Sequence, residues 1–450
     1  MNINWKKVEL PDFGVPEEIP VISKEEHEMR CTKAYDRAAT DWLVVYGDRE
    51  HFANIHFLSG YDPRFEEALL ILGPRNAKYL LVGMEGLDYS VDKQIEANVI
   101  LYQSFGLLGQ DRTSSPKLDQ ILLNIGIKEN DTVGLCGWKY FEENEMVSDA
   151  PHFFIPAAIV DCIQKVVRQP LQDKTPVLLH PTEGLRSRNS VDQIVLYEWG
   201  ASRASAAVMN IMKGTKVGIS ELEAVSHMRY AGEPLTAHVM FSARKEQMVG
   251  LRSPSATKIA LGDGVTTAVG YWGGLSCRAG MIDSKNDEFM ERFAKPYYKA
   301  IATWYEMTGI GVRGGDLFEK CASVLAEGGL KPALNPGHLT STDEWMHTPV
   351  RPDSNEVIVS GMAFQCDIIP TPLPNGVGLN CEDTVVIADE ALRKELKEKY
   401  PAVWARIEAK QSFIREKLGI NIKDELLPLS SNPAYYNPLW LNPEMVMVVE

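Results

Sequence analysis

The chain has 450 residues, 45% hydrophobic and 24% charged, with a net charge of −15. That balance is ordinary for a globular protein, and the length suits two or three domains at ~150 residues each. It excludes a basic nucleic-acid footprint and attraction to an anionic membrane, and no stretch nears the ~18 uninterrupted apolar residues of a spanning helix.

Seven cysteines stand singly, with no CxxC pair. This points to reduced thiols and a cytoplasmic setting rather than a disulfide framework. The opening MNINWKKVELPDFG has two lysines but no apolar run behind them, so no signal peptide is expected.

In chain order, a helix is expected around Lys24 to Thr40, followed by buried strands at WLVVYGD (Trp42 to Asp48), ALLILG (Ala68 to Gly73) and KYLLVG (Lys78 to Gly83). DTVGLCG (Asp131 to Gly137) reads as another strand, so this half is an α/β layer. HPTEGLRSRNS (His180 to Ser190) is polar and turn-rich and reads as a linker. The predicted domains are therefore 1–188 and 189–450.

The pattern then changes. SVDQIVLYEWGASRASAAVMNIM predicts a long helix capped by Ser190, and VGISELEAVSHMRYAG a second, with Ser220 and Glu223 in its first turn. Strands follow around HVMF (His238 to Phe241) and DGVTTAVGYWGG (Asp263 to Gly274). Two more helices, NDEFMERFAKPYYKAIATWYEM and GDLFEKCASVLAEGG, precede loops and strands from Pro336 to Ile387. A helix near Asp389 to Leu418 and an aromatic, proline-punctuated tail complete the chain. No P-loop, HExxH or GxSxG motif is present. GIGVRGG (Gly309 to Gly315) lies between two helices and reads as their turn, not as a phosphate loop.

Five fragments of the second half, in this order, carry a resemblance. They are KGTKVGISELEAVSHM, GLRSPSATKIALGDGVTTAVGYWGGLSCRAG, NPGHLTSTDEWMHTP, SGMAFQCDIIP and VGLNCEDTVVI. Their order and spacing resemble the M24 peptidase family of aminopeptidase P, prolidase, methionine aminopeptidase and creatinase. The resemblance implies a creatinase-type N-terminal α/β domain followed by a C-terminal α+β pita-bread domain. In that family two Asp, one His and two Glu hold a pair of metal ions that activate a hydroxide. The matching positions here are Ala268, Leu275, His338, Asp367 and Glu382. Alanine and leucine have no lone pairs to donate, so the two aspartates are lost and no metal or other cofactor is expected.

Creatinase implies a metal-free alternative, in which a loop histidine is the acid/base. That loop reads Gly250-Leu251-Arg252-Ser253-Pro254 here, and Arg252 cannot serve as an ordinary base. The candidate catalytic set is therefore His338, Glu382, Asp367 and His347, with the two histidines nine residues apart, a wider spacing than the family's. A packed, hydrogen-bonded core is the bland reading of the same residues.

Candidate substrate-binding residues are Arg252 and Arg278, placed by the resemblance to favour an anionic group. A salt bridge from them to Asp367 and Glu382 is the structural alternative. Arg64 and Glu67, in DPRFEEALLIL, are candidates because the corresponding loop of two-domain relatives reaches a partner subunit's site; Trp272 is the last. Cys277 has no histidine spaced to activate it and is expected to be inert.

The function expected is a metal-independent hydrolase or lyase of a small, C–N-bonded, carboxylate-bearing compound. The alternatives are a non-catalytic peptide- or ligand-binding protein on a peptidase scaffold, and an Xaa-Pro peptidase with one unorthodox metal. The expected partners are a small-molecule or short-peptide substrate and, by resemblance, a second copy in a homodimer.

Overall fold

A computed structural model of the chain describes residues 1–64, 66–148 and 151–450. The chain divides into two compact units, Ile22–Ser187 and Met1–Val21 with Arg188–Glu450. Among the described residues no helix is long and apolar enough to cross a membrane.

Strand β1 (Ile3–Lys7) opens the chain. The next six form one mixed sheet: β2 (Trp42–Gly47), β3 (Ala68–Gly73), β4 (Ala77–Val82), β5 (Asn98–Leu101), β6 (Val133–Cys136) and β7 (Gln172–Asp173). Their order across it is β5-β4-β3-β2-β6-β7. The hairpins β2–β3 and β3–β4 are antiparallel, while β4–β5, β2–β6 and β6–β7 are parallel. Strands β2 and β3 are buried along their whole length, which explains their unbroken apolar runs. Helix Lys24–Ala38, capped by Ser23, belongs to the same unit.

The second unit begins with the long helix Val191–Gly214. Ser190 caps it by accepting from the Gln193 amide. The next helix is shorter than its sequence suggests. The Ser220–Glu223 capping box forms, but regular helix covers only Glu221–Val225 and tightens to a 3₁₀ turn at Ser226–Met228. The chain then gives β8 (Met240–Arg244), β9 (Gly264–Tyr271), β10 (Gly274–Met281), β11 (Lys331–Pro332), β12 (His338–Leu339), β13 (Ala363–Cys366), β14 (Pro370–Thr371), β15 (Asn380–Ile387), β16 (Leu426–Pro428) and β17 (Met445–Val449). The main sheet runs β12-β13-β15-β10-β9-β8, with β16 beside β15 and every pairing antiparallel. Helices Lys295–Met307 and Gly314–Glu327 flank the Gly309–Arg313 turn. Pro401 divides the predicted C-terminal helix into Glu390–Lys399 and Pro401–Glu416.

One placement corrects the sequence reading, and another adds to it. Residues 1–21 do not belong with the first domain, because β1 pairs with β17 from Ile3↔Val449 to Lys7↔Met445. The aromatic tail is part of the core, with Tyr435, Tyr436 and Trp440 all buried.

Candidate active site

The sheet register builds the site. Met240 lies opposite Ala268, Ala268 opposite Cys277, and Cys277 opposite Glu382, so one row of side chains crosses four strands on one face. His338 lies opposite Gln365 and Gln365 opposite Thr384, two residues beyond Glu382 and therefore on the same face. Asp367 follows β13 with the parity of Gln365. Of these, Met240, Ala268, His338, Asp367 and Glu382 line a cavity of about 370 Å³, bordered also by Leu275, Ile369 and the loop bearing Glu344 and Trp345.

The loop is a short excursion from the sheet. Leu339 and His347 bridge back to each other, and the Met346 amide donates to the Leu339 carbonyl. That closure sets Glu344 against His338, with Oε1 3.0 Å from Nε2. Glu382 Oε1 stands 3.8 Å from the same nitrogen, and His338 Nδ1 faces the Leu339 carbonyl at 3.2 Å.

The electrostatics follow from this packing. Burial opposes charge on His338, but Glu344, Glu382 and Asp367 outweigh it and hold the imidazole well above the ordinary histidine range. Burial, then the charge of Asp367, pushes Glu382 well above the usual carboxylate range. Burial raises Asp367 to about 6, against the pull of His338. The cavity thus holds carboxyl groups of different acidity around one cationic ring.

The floor has no such groups. Met240, Ala268, Leu275 and Cys277 form a small apolar cluster. Burial pushes the Cys277 thiol far up, so it is no nucleophile. Ala268 and Leu275 stand where the sequence resemblance would put two metal-binding aspartates, and a paired-metal centre does not fit side chains without oxygen donors there. A different trio, His338, Glu344 and Glu382, has donor atoms within 4.8 Å of one another and could hold one ion.

The other candidates lie elsewhere. Arg278 is next to Cys277 and so points to the opposite face of β10. It is fully buried and ion-paired to Asp383, with Nη2 2.9 and 3.1 Å from the two carboxylate oxygens. Nε donates to the Tyr435 carbonyl and Nη1 to those of Cys277 and Glu382. Its carboxylate partner is therefore Asp383, not Asp367 or Glu382. Arg252 is exposed, and among the described residues neither arginine lines the cavity. The guanidinium groups that suggested a carboxylate-bearing substrate are thus not there.

His347 is half-buried behind the loop, its Nδ1 2.7 Å from the Thr348 amide, and does not line the cavity either. Trp272 sits in the β9–β10 turn, where Gly273 has φ +86° and Gly200 lets the turn meet the long helix: a Cβ on Gly200 would lie 2.0 Å from the Trp272 carbonyl. Arg64 and Glu67 belong to the unit Ile22–Ser187; Arg64 is exposed, 3.5 Å from Asp62, and Phe65 beside it lies outside the described residues. Glu344, Trp345 and Asn380 escaped the sequence reading. Asn380 could have been found from its parity with Glu382, whereas Glu344 and Trp345 lie in a loop with no periodicity.

No protein-family model and no curated protein matches the sequence. Solved structures do match. The prolidase from Thermococcus sibiricus superposes with a TM-score of 0.65 at 15% identity, covering 82% of this chain and 95% of that one. The prolidase from Pyrococcus horikoshii OT3 gives 0.62 at 17% identity, covering 81% and 95%. The X-Pro aminopeptidase from Thermotoga maritima MSB8 gives 0.62 at 13% identity, again covering 81% and 95%. The chain therefore has the fold that the sequence resemblance implies, a creatinase-type N-terminal domain and a pita-bread domain.

Proposed function

We propose that this chain hydrolyses a C–N bond in a small molecule, with proton transfer carried by side chains instead of a paired-metal centre. The observation behind this reading is the contact of His338 with Glu344 and Glu382, beside Asp367, in a cavity also lined by Ala268 and Leu275, the two residues that the sequence resemblance sets at metal-aspartate positions. Asp367, raised to about 6, is ionised near neutral pH and suits a general base. His338, held cationic by its carboxylates, suits the general acid. Water's oxygen bonds to the substrate carbon as Asp367 takes its proton. The C–N bond breaks, and the leaving nitrogen takes a proton from His338. Glu344 and Glu382 keep the imidazole oriented throughout.

The test is turnover of a panel of amides and amidines by the purified chain, with and without a chelator. H338A and D367N are each expected to lose about 100-fold or more, and the chelator to change nothing. Undiminished turnover in both variants would sink the reading. A second reading is an Xaa-Pro peptidase using one metal ion, favoured by the convergent donors of His338, Glu344 and Glu382. One tightly bound ion per chain, with chelator-sensitive turnover, selects it.

A further inference from the structure

The last two helices, Glu390–Lys399 and Pro401–Glu416, border an open groove of about 630 Å³ that shares no residue with the cavity around His338. The chain carries a net charge of −15, yet four cationic side chains line this groove, Arg393, Lys394, Lys397 and Arg415, against three carboxylates. Most of the cations are paired. Arg415 lies 2.7 Å from Asp424, Lys397 3.7 Å from Glu408, and Lys394 3.9 Å from Glu398. Arg393 is different. It is half-buried, but among the described residues its guanidinium makes no ion pair and no hydrogen bond. The other buried and half-buried arginines all have one.

A second observation comes from the other helix. Gln411 lines the groove and is only 7% exposed. Its Nε2 donates to the carbonyls of Asp424 and Leu426, which fixes the orientation of the amide. Its Oε1 accepts no hydrogen bond among the described residues. Trp404 also lines the groove and packs against the core cluster that includes Leu396 and Ile407, so it gives the groove an apolar wall. An unspent guanidinium suits a planar anion, which it meets with two parallel N–H bonds. The carboxylates of Glu390, Glu408 and Asp424 nearby select a single negative charge over a dianion. The free amide oxygen asks the same ligand for an O–H or N–H group.

We infer that this groove binds a small monocarboxylate with a hydrogen-bond donor beside its acid group, of the hydroxy-acid or N-acylamino-acid type. Arg393 forks the carboxylate, Gln411 Oε1 accepts the neighbouring O–H or N–H, and an apolar substituent lies against Trp404. The site is separate from the proposed hydrolytic cavity, and binding there does not depend on that reading.

Calorimetric titration of the full chain tests this with mandelate, N-acetylphenylglycine, phenylacetate, mandelamide and phenyl phosphate. At least one of the first two is expected to bind severalfold tighter than phenylacetate, which lacks the donor. It should bind about tenfold or more tighter than mandelamide, which lacks the charge, and than phenyl phosphate, a dianion. R393A and R393K are each expected to weaken it about tenfold or more, because lysine keeps the charge but not the fork. H338A, at the other cavity, should bind like the parent. The inference is overturned if neither mandelate nor N-acetylphenylglycine binds at millimolar concentration, or if any of the other three compounds binds as tightly. It is equally overturned if either arginine variant binds like the parent, or if H338A abolishes binding, which would place the ligand in the cavity around His338.

Discussion

Glu344 Oε1 lies 3.0 Å from His338 Nε2, while Nδ1 of the same ring faces a backbone carbonyl. Both ring nitrogens meet acceptors, a pattern satisfied only by the doubly protonated imidazole. The loop residue thus fixes the charge state of a histidine on the sheet, although no regular element connects them.

That contact predicts the behaviour of E344Q. The variant is expected to bring the His338 titration, followed by nitrogen-15 NMR, down toward the ordinary histidine range. Because the folded value is raised, the stabilisation is fully present below the ordinary histidine value and lost as pH rises through the folded one. E344Q should therefore cost about 1–3 kcal/mol in denaturant unfolding at mildly acidic pH, with parent and variant converging at strongly alkaline pH. An unchanged His338 titration would refute this account.

Asp367 behaves oppositely. Burial raises its carboxyl from 3.8 to about 6, so the folded state loses stability as pH rises through that interval. D367N removes that cost. It is expected to be more stable than the parent above pH 6, by up to about 3 kcal/mol, and no more stable below 3.8. Urea titrations at three pH values test this. A variant less stable than the parent at neutral pH would show that the buried charge is better compensated than its surroundings imply.

Placing aspartates at the two positions where the resemblance would have metal ligands is a third test. In A268D/L275D two carboxylates enter an apolar floor now made with Met240 and Cys277. Without metal the variant should lose roughly 3 kcal/mol or more, because each new charge is buried without a partner. Manganese or zinc should restore much of this and bind at more than one ion per chain. If the variant melts with the parent and ignores metal, those two positions do not face one another across a ligand-sized gap.

Arg278 supplies a purely structural prediction. R278A leaves Asp383 buried beside carbonyls that lose their donor, at an expected cost of about 3–5 kcal/mol. R278M/D383L, which removes both charges, should recover a substantial part. Thermal melts compare the two. A double variant as unstable as R278A would mean that the carbonyl contacts, not the ion pair, dominate.

The strands and helices were legible because their signals are local. The wholly buried β2 and β3 read as apolar runs, and Ser190 and Ser220 announced the helices they cap. The β9–β10 ribbon that carries Ala268 and Leu275 was legible because its motifs come in a recognisable order. The arginines were misplaced for a simpler reason. Strand side chains alternate, so Cys277 and Arg278 face opposite ways, and motif matching does not say which faces the cavity. Asp383 as the partner of Arg278 depends on the tail folding over the pair, with the Ala434 amide donating to Asp383. That contact spans a long sequence separation and has no local signature.

The pairing of β1 with β17 bears on how the chain is made. Strand β1 is made before the other described strands and pairs with β17, which is made after them. The unit Ile22–Ser187 draws its strands and helices from one continuous segment and can fold during synthesis. The other unit cannot close until β17 has been made, because β1 needs it as a partner and Arg278 needs the carbonyls of the segment just before it. Until then β1 and the buried guanidinium await partners still inside the ribosome, which makes the nascent second unit the stage at which a chaperone has most to protect.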